Sequence, residues 1–336
     1  MKMKKKIIAT LLAALTVASS ISMTSCGNTD NGGSGDNGSS ADKKYVVGIC
    51  QLAVHPALDA ATAGFKEALT EKLGDKVDFK EQNAAGDANT CNTICTQLVS
   101  DKVDLILANA TGALQAASAA TSEIPIIGTS VTDYATALAI SDWTGKTGKN
   151  ITGTSDLAPL DEQANAVAEL FPASENKNLG IIYCSGEPNS LYQVNTITPM
   201  FEKLGYTVTP LSFSDSNDVA AVTQSACSNS DVIYIPTDNT AASCTEAIRN
   251  VAVPAKTPIF AGEENICKGC GVATLSISYH DIGYKAGEMA YEILVNGADI
   301  TTMEIATAAK FTKEYNKSVA DELGFTAPAD YTPIAD

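Results

Sequence analysis

Polar and small side chains recur in this chain just beyond short apolar runs. His55 before Pro56 is one such place, followed by Asn109 with Thr111 and by Ser130, Thr132 and Asp133. Glu187 with Asn189 and Ser190, then Asp238, Asn239 and Thr240, then Glu263 with Glu264, repeat the pattern. Several of these open a helix, where hydroxyls and free backbone N–H groups hold an anion without any positive side chain. Acidic residues in the same place hold an ammonium. Together they suit a zwitterion. Each residue type is also an ordinary helix cap or turn former, and both roles stay open at every position. The chain has one arginine, Arg249. It lies about two and a half turns into its helix and is expected to point away from the strand ends.

Other chemistries leave no signature. Gly153-Thr-Ser155-Asp-Leu fails as a nucleophile elbow at its last position. Gly145-Lys-Thr-Gly-Lys has the wrong glycine spacing for a phosphate loop, and Gly269-Cys-Gly271 is an incomplete dinucleotide fingerprint. Two histidines leave little for general-base work, so the chain is expected not to be an enzyme, with no cofactor and no metal. Beyond Cys26, eight cysteines remain: Cys50, Cys91, Cys95, Cys184, Cys227, Cys244, Cys267 and Cys270. Cys91 and Cys95 share a helix face. Cys267 and Cys270 form a lone Cys-x-x-Cys placed in a loop, with neither the partners of a zinc site nor the helix start of a redox centre. A local disulfide or buried thiols are expected there.

The elements that must position these loops alternate. β-rich runs at 45–51, 77–83, 104–108, 125–129 and 151–154 are separated by helical patterns at 58–72, 89–100 and 113–121. After 155 the order restarts with helices at 160–170, 190–204, 217–227 and 240–251. Between them lie strands at 179–183, 207–213, 232–235 and 258–261. Continuous apolar strands between amphipathic helices indicate parallel sheets covered on both faces. The stretch 101–129 and the stretch 230–262 both read strand, polar loop, helix, proline-led strand. The fold class is therefore α/β, with two doubly wound parallel-sheet lobes joined by a hinge of several crossing segments. One lobe is expected to comprise 44–155 plus 280–303 and the other 156–279 plus 304–336. Ligands of such sheets bind beyond the carboxyl ends of the strands, so the facing loops form a cleft. His280, opening the helix after the hinge, reads as structural.

The chain carries 39 acidic against 22 basic residues, a net charge of −17 over 336 residues. Four lysines lie in the first six positions; without them 18 basic residues face the same 39 acids, a balance of −21. Such a surface repels phosphate backbones, and no nucleic-acid partner is expected. Residues 1–25 read as a signal peptide whose apolar run is short for a membrane span. Met23-Thr24-Ser25-Cys26 places a cysteine directly after small residues, as in a bacterial lipobox, so Cys26 is the expected lipidation site. Residues 26–43 are Gly, Ser, Asn and Asp with almost no apolar side chain, and read as a flexible tether. The globular part is thus expected outside the cytoplasmic membrane, anchored to its outer face by the lipid.

Several runs together resemble the ABC transporter substrate-binding protein family of the tryptophan-binding type. They are 55–60 (His-Pro-Ala-Leu-Asp-Ala), 101–108 (Asp-Lys-Val-Asp-Leu-Ile-Leu-Ala), 124–133, 151–156, 234–240 (Tyr-Ile-Pro-Thr-Asp-Asn-Thr), 258–263 and 279–283. The loop 185–190 keeps an Asn-Ser pair with Pro188 where alanine is frequent, and Gly112 stands where proline is frequent. The resemblance implies a periplasmic-binding-protein fold of type I, closing on a small solute. An aromatic amino acid is expected, with a sugar or nucleoside, or a sensing role without transport, as alternatives. It also implies an ABC permease and ATPase complex as partners, and a monomer. The expected ligand contacts are His55, Asn109, Thr111, Ser130, Thr132, Asp133, Asn189, Ser190, Asp238, Asn239, Thr240, Glu263 and Tyr279. Among them Asp133, Asp238 or Glu263 would meet the ammonium, and Tyr279 or Tyr192 would stack on a ring.

Overall fold

A computed structural model describes residues 43–335. The expected signal peptide, the expected lipidation site Cys26 and nearly all of the expected tether lie outside the described residues.

The chain opens with β1 (Tyr45–Gln51), α1 (Pro56–Leu73), β2 (Val77–Asn83), α2 (Ala88–Ser100), β3 (Leu105–Asn109), α3 (Thr111–Ala120), β4 (Ile126–Val131), α4 (Tyr134–Ala137) and β5 (Ile151–Ser155). β3, β4 and β5 are buried along their whole length, because helices cover both faces. β2 carries Lys80 and Glu81 on a largely exposed strand, as suits a sheet edge. There follow α5 (Leu160–Leu170), β6 (Asn178–Cys184), α6 (Pro188–Lys203), β7 (Thr207–Phe213), α7 (Val219–Asn229), β8 (Val232–Ile235), α8 (Asn239–Ser243), α9 (Thr245–Ala252), β9 (Ile259–Ala261), α10 (Glu264–Gly269) and β10 (Ala273–Ser276). The last elements are α11 (Tyr279–Leu294), β11 (Ala306–Thr307), β12 (Thr312–Tyr315), α12 (Lys317–Leu323) and β13 (Thr332–Pro333).

Among the described residues the strands form two sheets, ordered β2-β1-β3-β4-β5-β11 and β7-β6-β8-β9-β10-β12-β13. The first five strands of each follow the same doubly wound order, so the internal repeat is a repeat of topology. The switch point falls between β1 and β3 in one sheet and between β6 and β8 in the other. β12 runs antiparallel to β10, so the second sheet is mixed. Phe65 fills one lobe's core, and Phe201, Phe213, Tyr234 and Phe260 fill the other's, all fully buried.

The chain passes between the lobes at 156–159, 277–278 and 308–311, where elements of one sheet give way to those of the other. Two boundaries differ from the sequence expectation. β11 pairs with β5, Ala306 against Thr154, so the third passage follows residue 307 and not 303. Tyr279 already belongs to α11, whose N-cap is Ser278. After the second passage α11 returns to lie against α1, and glycine permits the contact: a Cβ at Gly283 would sit 2.0 Å from the Ala61 carbonyl oxygen. Three smaller elements also escape the sequence. The expected helix at 240–251 is two, broken at Cys244, whose backbone leaves the helical region. α4 and α10 are too short to show periodicity. α10 corrects the placing of the Cys-x-x-Cys in a loop: Cys267 is helical and Cys270 is the C-cap.

Candidate functional site

The loops after the strands of both sheets meet between the lobes. In the first lobe α1 begins with Pro56, preceded by His55, whose side chain makes no cap hydrogen bond. Proline has no N–H, so the amides of Ala57 and Leu58 are the first donors of an 18-residue helix and have no intrahelical partner. His55 is buried, and burial lowers its pKa, which keeps the ring neutral. Its Nε2 lies 3.3 Å from Asn239 Oδ1 on the other lobe. Asn239 Nδ2 donates to Glu187 at 2.6 Å, which turns Oδ1 toward the ring. A neutral His55 therefore carries its proton on Nε2, and Nδ1 remains a buried acceptor without a partner.

β4 slips register against β5 between Gly128 and Val131, and Ser130 there adopts a φ of +53°. Such a conformation is strained for a non-glycine residue and is common where a loop must aim a side chain. Ser130 Oγ is buried and unpaired. Asp156, the first residue of the first passage, accepts from Thr132 Oγ1 at 3.0 Å and from Tyr279 OH at 3.0 Å. Burial pushes its carboxyl up to about 6, opposed by those two hydrogen bonds.

In the second lobe the carboxylates are committed to backbone. Asp238 caps α8 through Ala241 N at 2.8 Å and accepts from Cys184 N at 2.6 Å and Ser190 Oγ at 2.7 Å. Glu263 caps α10 through the amides of Asn265 and Ile266. Burial pushes both up to about 7, and the nearby Glu187 adds to the rise for Asp238. Glu187 accepts from Asn189 Nδ2, from the amide and side chain of Asn239, and from the amide and hydroxyl of Thr240. It ties the β6 and β8 loops together.

Between the lobes these groups enclose a space of about 10 Å³, room for one water molecule. Of the residues expected from sequence, His55, Ser130, Thr132, Asn189, Asp238, Asn239, Glu263 and Tyr279 line it. The other five do not. Asn109 turns into its own lobe, donating to the Leu58 carbonyl and to Thr62 Oγ1 at 2.8 and 2.9 Å. Ser190 lies beneath Asp238, and Thr240 is held by Glu187. Thr111 and Asp133 meet Pro188, Asn189 and Tyr192 at a separate contact between lobes, where Asp133 caps α4. All three acids expected to hold an ammonium are thus helix caps, whereas Asp156 caps nothing. Asp156 escaped the candidate residues although it follows β5 as Asp133 follows β4; its position after a strand was the available signal. Ala57, Leu58, Thr237 and Ala242 complete the lining, which includes no lysine or arginine. Arg249 pairs with Glu322 and Ser318 at an exposed position elsewhere.

The described cysteines are free thiols. Cys267 and Cys270 are buried, and burial raises both thiol pKa values. Among the described residues no group of three or more His, Cys, Asp or Glu has the arrangement of a metal site.

The model of the family described as ABC transporter substrate binding protein matches residues 46–335. A tyrosine-binding protein of Clostridioides difficile (strain R20291) is 36% identical over 307 residues, covering 89% of this chain and 88% of that one. Among solved structures, an ABC domain from Streptococcus pneumonia in complex with L-Trp aligns at a TM-score of 0.82 with 30% identity, over 87% of this chain and 100% of its own. A ligand-free, open substrate binding protein with adhesive properties from Clostridium difficile aligns at 0.66 with 34% identity, over 86% and 99%. This chain thus superposes more closely on the L-Trp complex than on the open structure, although identity runs the other way.

Proposed function

The chain belongs to the ABC transporter substrate-binding protein family, and from that premise we propose that it captures an aromatic amino acid between its lobes. One observation carries the proposal: the uncapped start of α1 and the carboxylate of Asp156, which accepts from two hydroxyls but caps no helix, border the same enclosed space, which has no basic side chain. The amides of Ala57 and Leu58, with the Ser130 hydroxyl, receive the ligand's carboxylate. Asp156 and the free Nδ1 of His55 receive its ammonium. Both ends of a zwitterion are met without arginine. The similarity to a tyrosine-binding protein and to an L-Trp complex supports the aromatic class.

The space holds one water, so the lobes must part to admit an amino-acid head group and then close around it less tightly than they stand here. Binding stabilises that closed state because the ligand touches both lobes at once, which it cannot do in the open state. The closed form is handed to a membrane permease driven by an ATPase. Among the described residues no helix is long and apolar enough to cross a membrane. Attachment in this proposal rests on a lipid at Cys26, with the monomeric receptor outside the cytoplasmic membrane. Replacing Cys26 with Ser should move the protein from the membrane fraction to the medium; retention at the membrane would remove the anchor.

Thermal unfolding against amino acids, sugars and nucleosides tests the ligand class. A ligand at 100 times its dissociation constant stabilises by about 2.7 kcal/mol. A shift with tyrosine, tryptophan or phenylalanine is expected, and a shift only with sugars or nucleosides would overturn the proposal.

A further inference from the structure

The small chamber does not use up the space between the lobes. Beyond Asn189 and Asn239, which border both spaces, a groove of about 590 Å³ remains open with the lobes as they stand. That volume lies within the range that holds a whole drug-sized ligand. Leu52, Val54 and Ala88 come to it from the first lobe, and Cys184, Pro188 and Cys244 from the second. It lies at the switch point of both sheets, beside the loops that follow β1 and β6. Val54 is 67% exposed, an apolar side chain left uncovered at the mouth.

The lining also states what the groove refuses. It includes no lysine or arginine, and its acids are Glu187 and Asp215. Glu187 is saturated by donors from Asn189, Asn239 and Thr240. An anionic group there would meet these carboxylates with no cation to offset them. An uncharged group would bury apolar wall on both sides, with Ser214, Ser216 and Ser243 at the polar rim.

We infer that this groove is the side-chain subsite of the ligand, and that it admits uncharged side chains longer than one aromatic ring. The inference rests on the proposed capture of an amino-acid head group in the small chamber. Asn189 and Asn239 line both spaces, so a side chain that leaves the chamber between them enters the groove. The substrate class then extends from the common aromatic amino acids to those elongated at the far end of the ring by an ether or a second ring.

Isothermal titration calorimetry on the intact protein with tyrosine and with O-benzyl-tyrosine tests it. The elongated ligand should bind within about tenfold of tyrosine, a difference of about 1.4 kcal/mol or less. Replacing the exposed Ser243 with Trp would push an indole into the groove and narrow it, and should weaken O-benzyl-tyrosine at least about tenfold more than tyrosine. If tyrosine binds and O-benzyl-tyrosine is weaker than that, or if Ser243→Trp leaves their ratio unchanged, the subsite is overturned alone. If neither ligand binds, the aromatic amino-acid proposal fails and the subsite falls with it.

Discussion

Acidification should loosen the hold on a ligand's ammonium, with Asp156 setting the scale. This carboxyl is 3% exposed, and burial pushes it up to about 6. Only its ionised form pairs with an ammonium. At pH 5, a unit below that value, roughly one site in eleven is ionised, against nearly all at pH 7.5. Apparent affinity scales with the competent fraction, so binding of tyrosine should weaken about tenfold over that interval, about 1.4 kcal/mol. Asp238 and Glu263 face the same space and are pushed up to about 7, so their titration steepens the fall. His55 is held neutral by burial, and once protonated its Nδ1 no longer accepts from the ammonium, which adds to the fall. Asp156→Asn isolates the effect. The amide keeps the shape of the acid and an acceptor for Thr132 Oγ1, but loses the charge. It should cost about 1.5–3 kcal/mol of binding at pH 7.5, the range for a hydrogen bond to a charged group, and should flatten the pH profile. Calorimetric titration from pH 5 to 8 at constant ionic strength reads both. An affinity that is flat or rises on acidification would refute the assignment, as would an Asn variant that binds as tightly as its parent.

Without ligand the pH dependence should run the other way. Asp156, Asp238 and Glu263 have raised pKa values in the folded protein, so their stabilisation is full below the ordinary carboxylate range and is lost as pH rises through about 6 to 7. Asp156 alone is worth on the order of 3 kcal/mol, and the urea midpoint should be higher at pH 5 than at pH 8; equal midpoints would contradict the burial of these acids. Asp238→Ala strands the amides of Cys184 and Ala241 and the Ser190 hydroxyl. A loss of about 3 kcal/mol is expected, and an unchanged melting temperature would show that the cap is dispensable. Gly153→Ala places a Cβ 2.0 Å from the Gly128 carbonyl at a φ of +150°. It should destabilise by about 2 kcal/mol or more, and a neutral result would mean that β4 and β5 can separate.

Strand and helix alternation was legible because both sheets are parallel and covered. Residues 105–108 and 232–235 read as continuous apolar runs for the physical reason that both their faces are buried. The polar residues after those runs were legible as a class, since a doubly wound sheet can bind only there. Which of them face a ligand was not. Asp133 and Asp156 both follow strands, yet Asp133 is spent on Thr136 N at the start of a four-residue helix, and Asp156 lies in a passage between lobes. Sequence periodicity cannot register an element of four residues, nor the two-residue strand β11 that moves the third passage.

The sequence by itself determined the acidic balance, the export-like leader, the tandem α/β order and the lack of arginine beside the strand ends. These are properties of composition and of local patterning, and they hold for every conformation of the chain. The tertiary structure alone decided that Asn109 and Ser190 turn inward, that Glu187 is saturated, and that Asp156 stands opposite the open start of α1. Each of those outcomes depends on which donors arrive from a distant segment. Tyr279 reaches Asp156 from 123 residues away, and His55 meets Asn239 from 184. Competition among such partners settles whether a polar side chain is a cap or a contact, and it exists only once the lobes have come together.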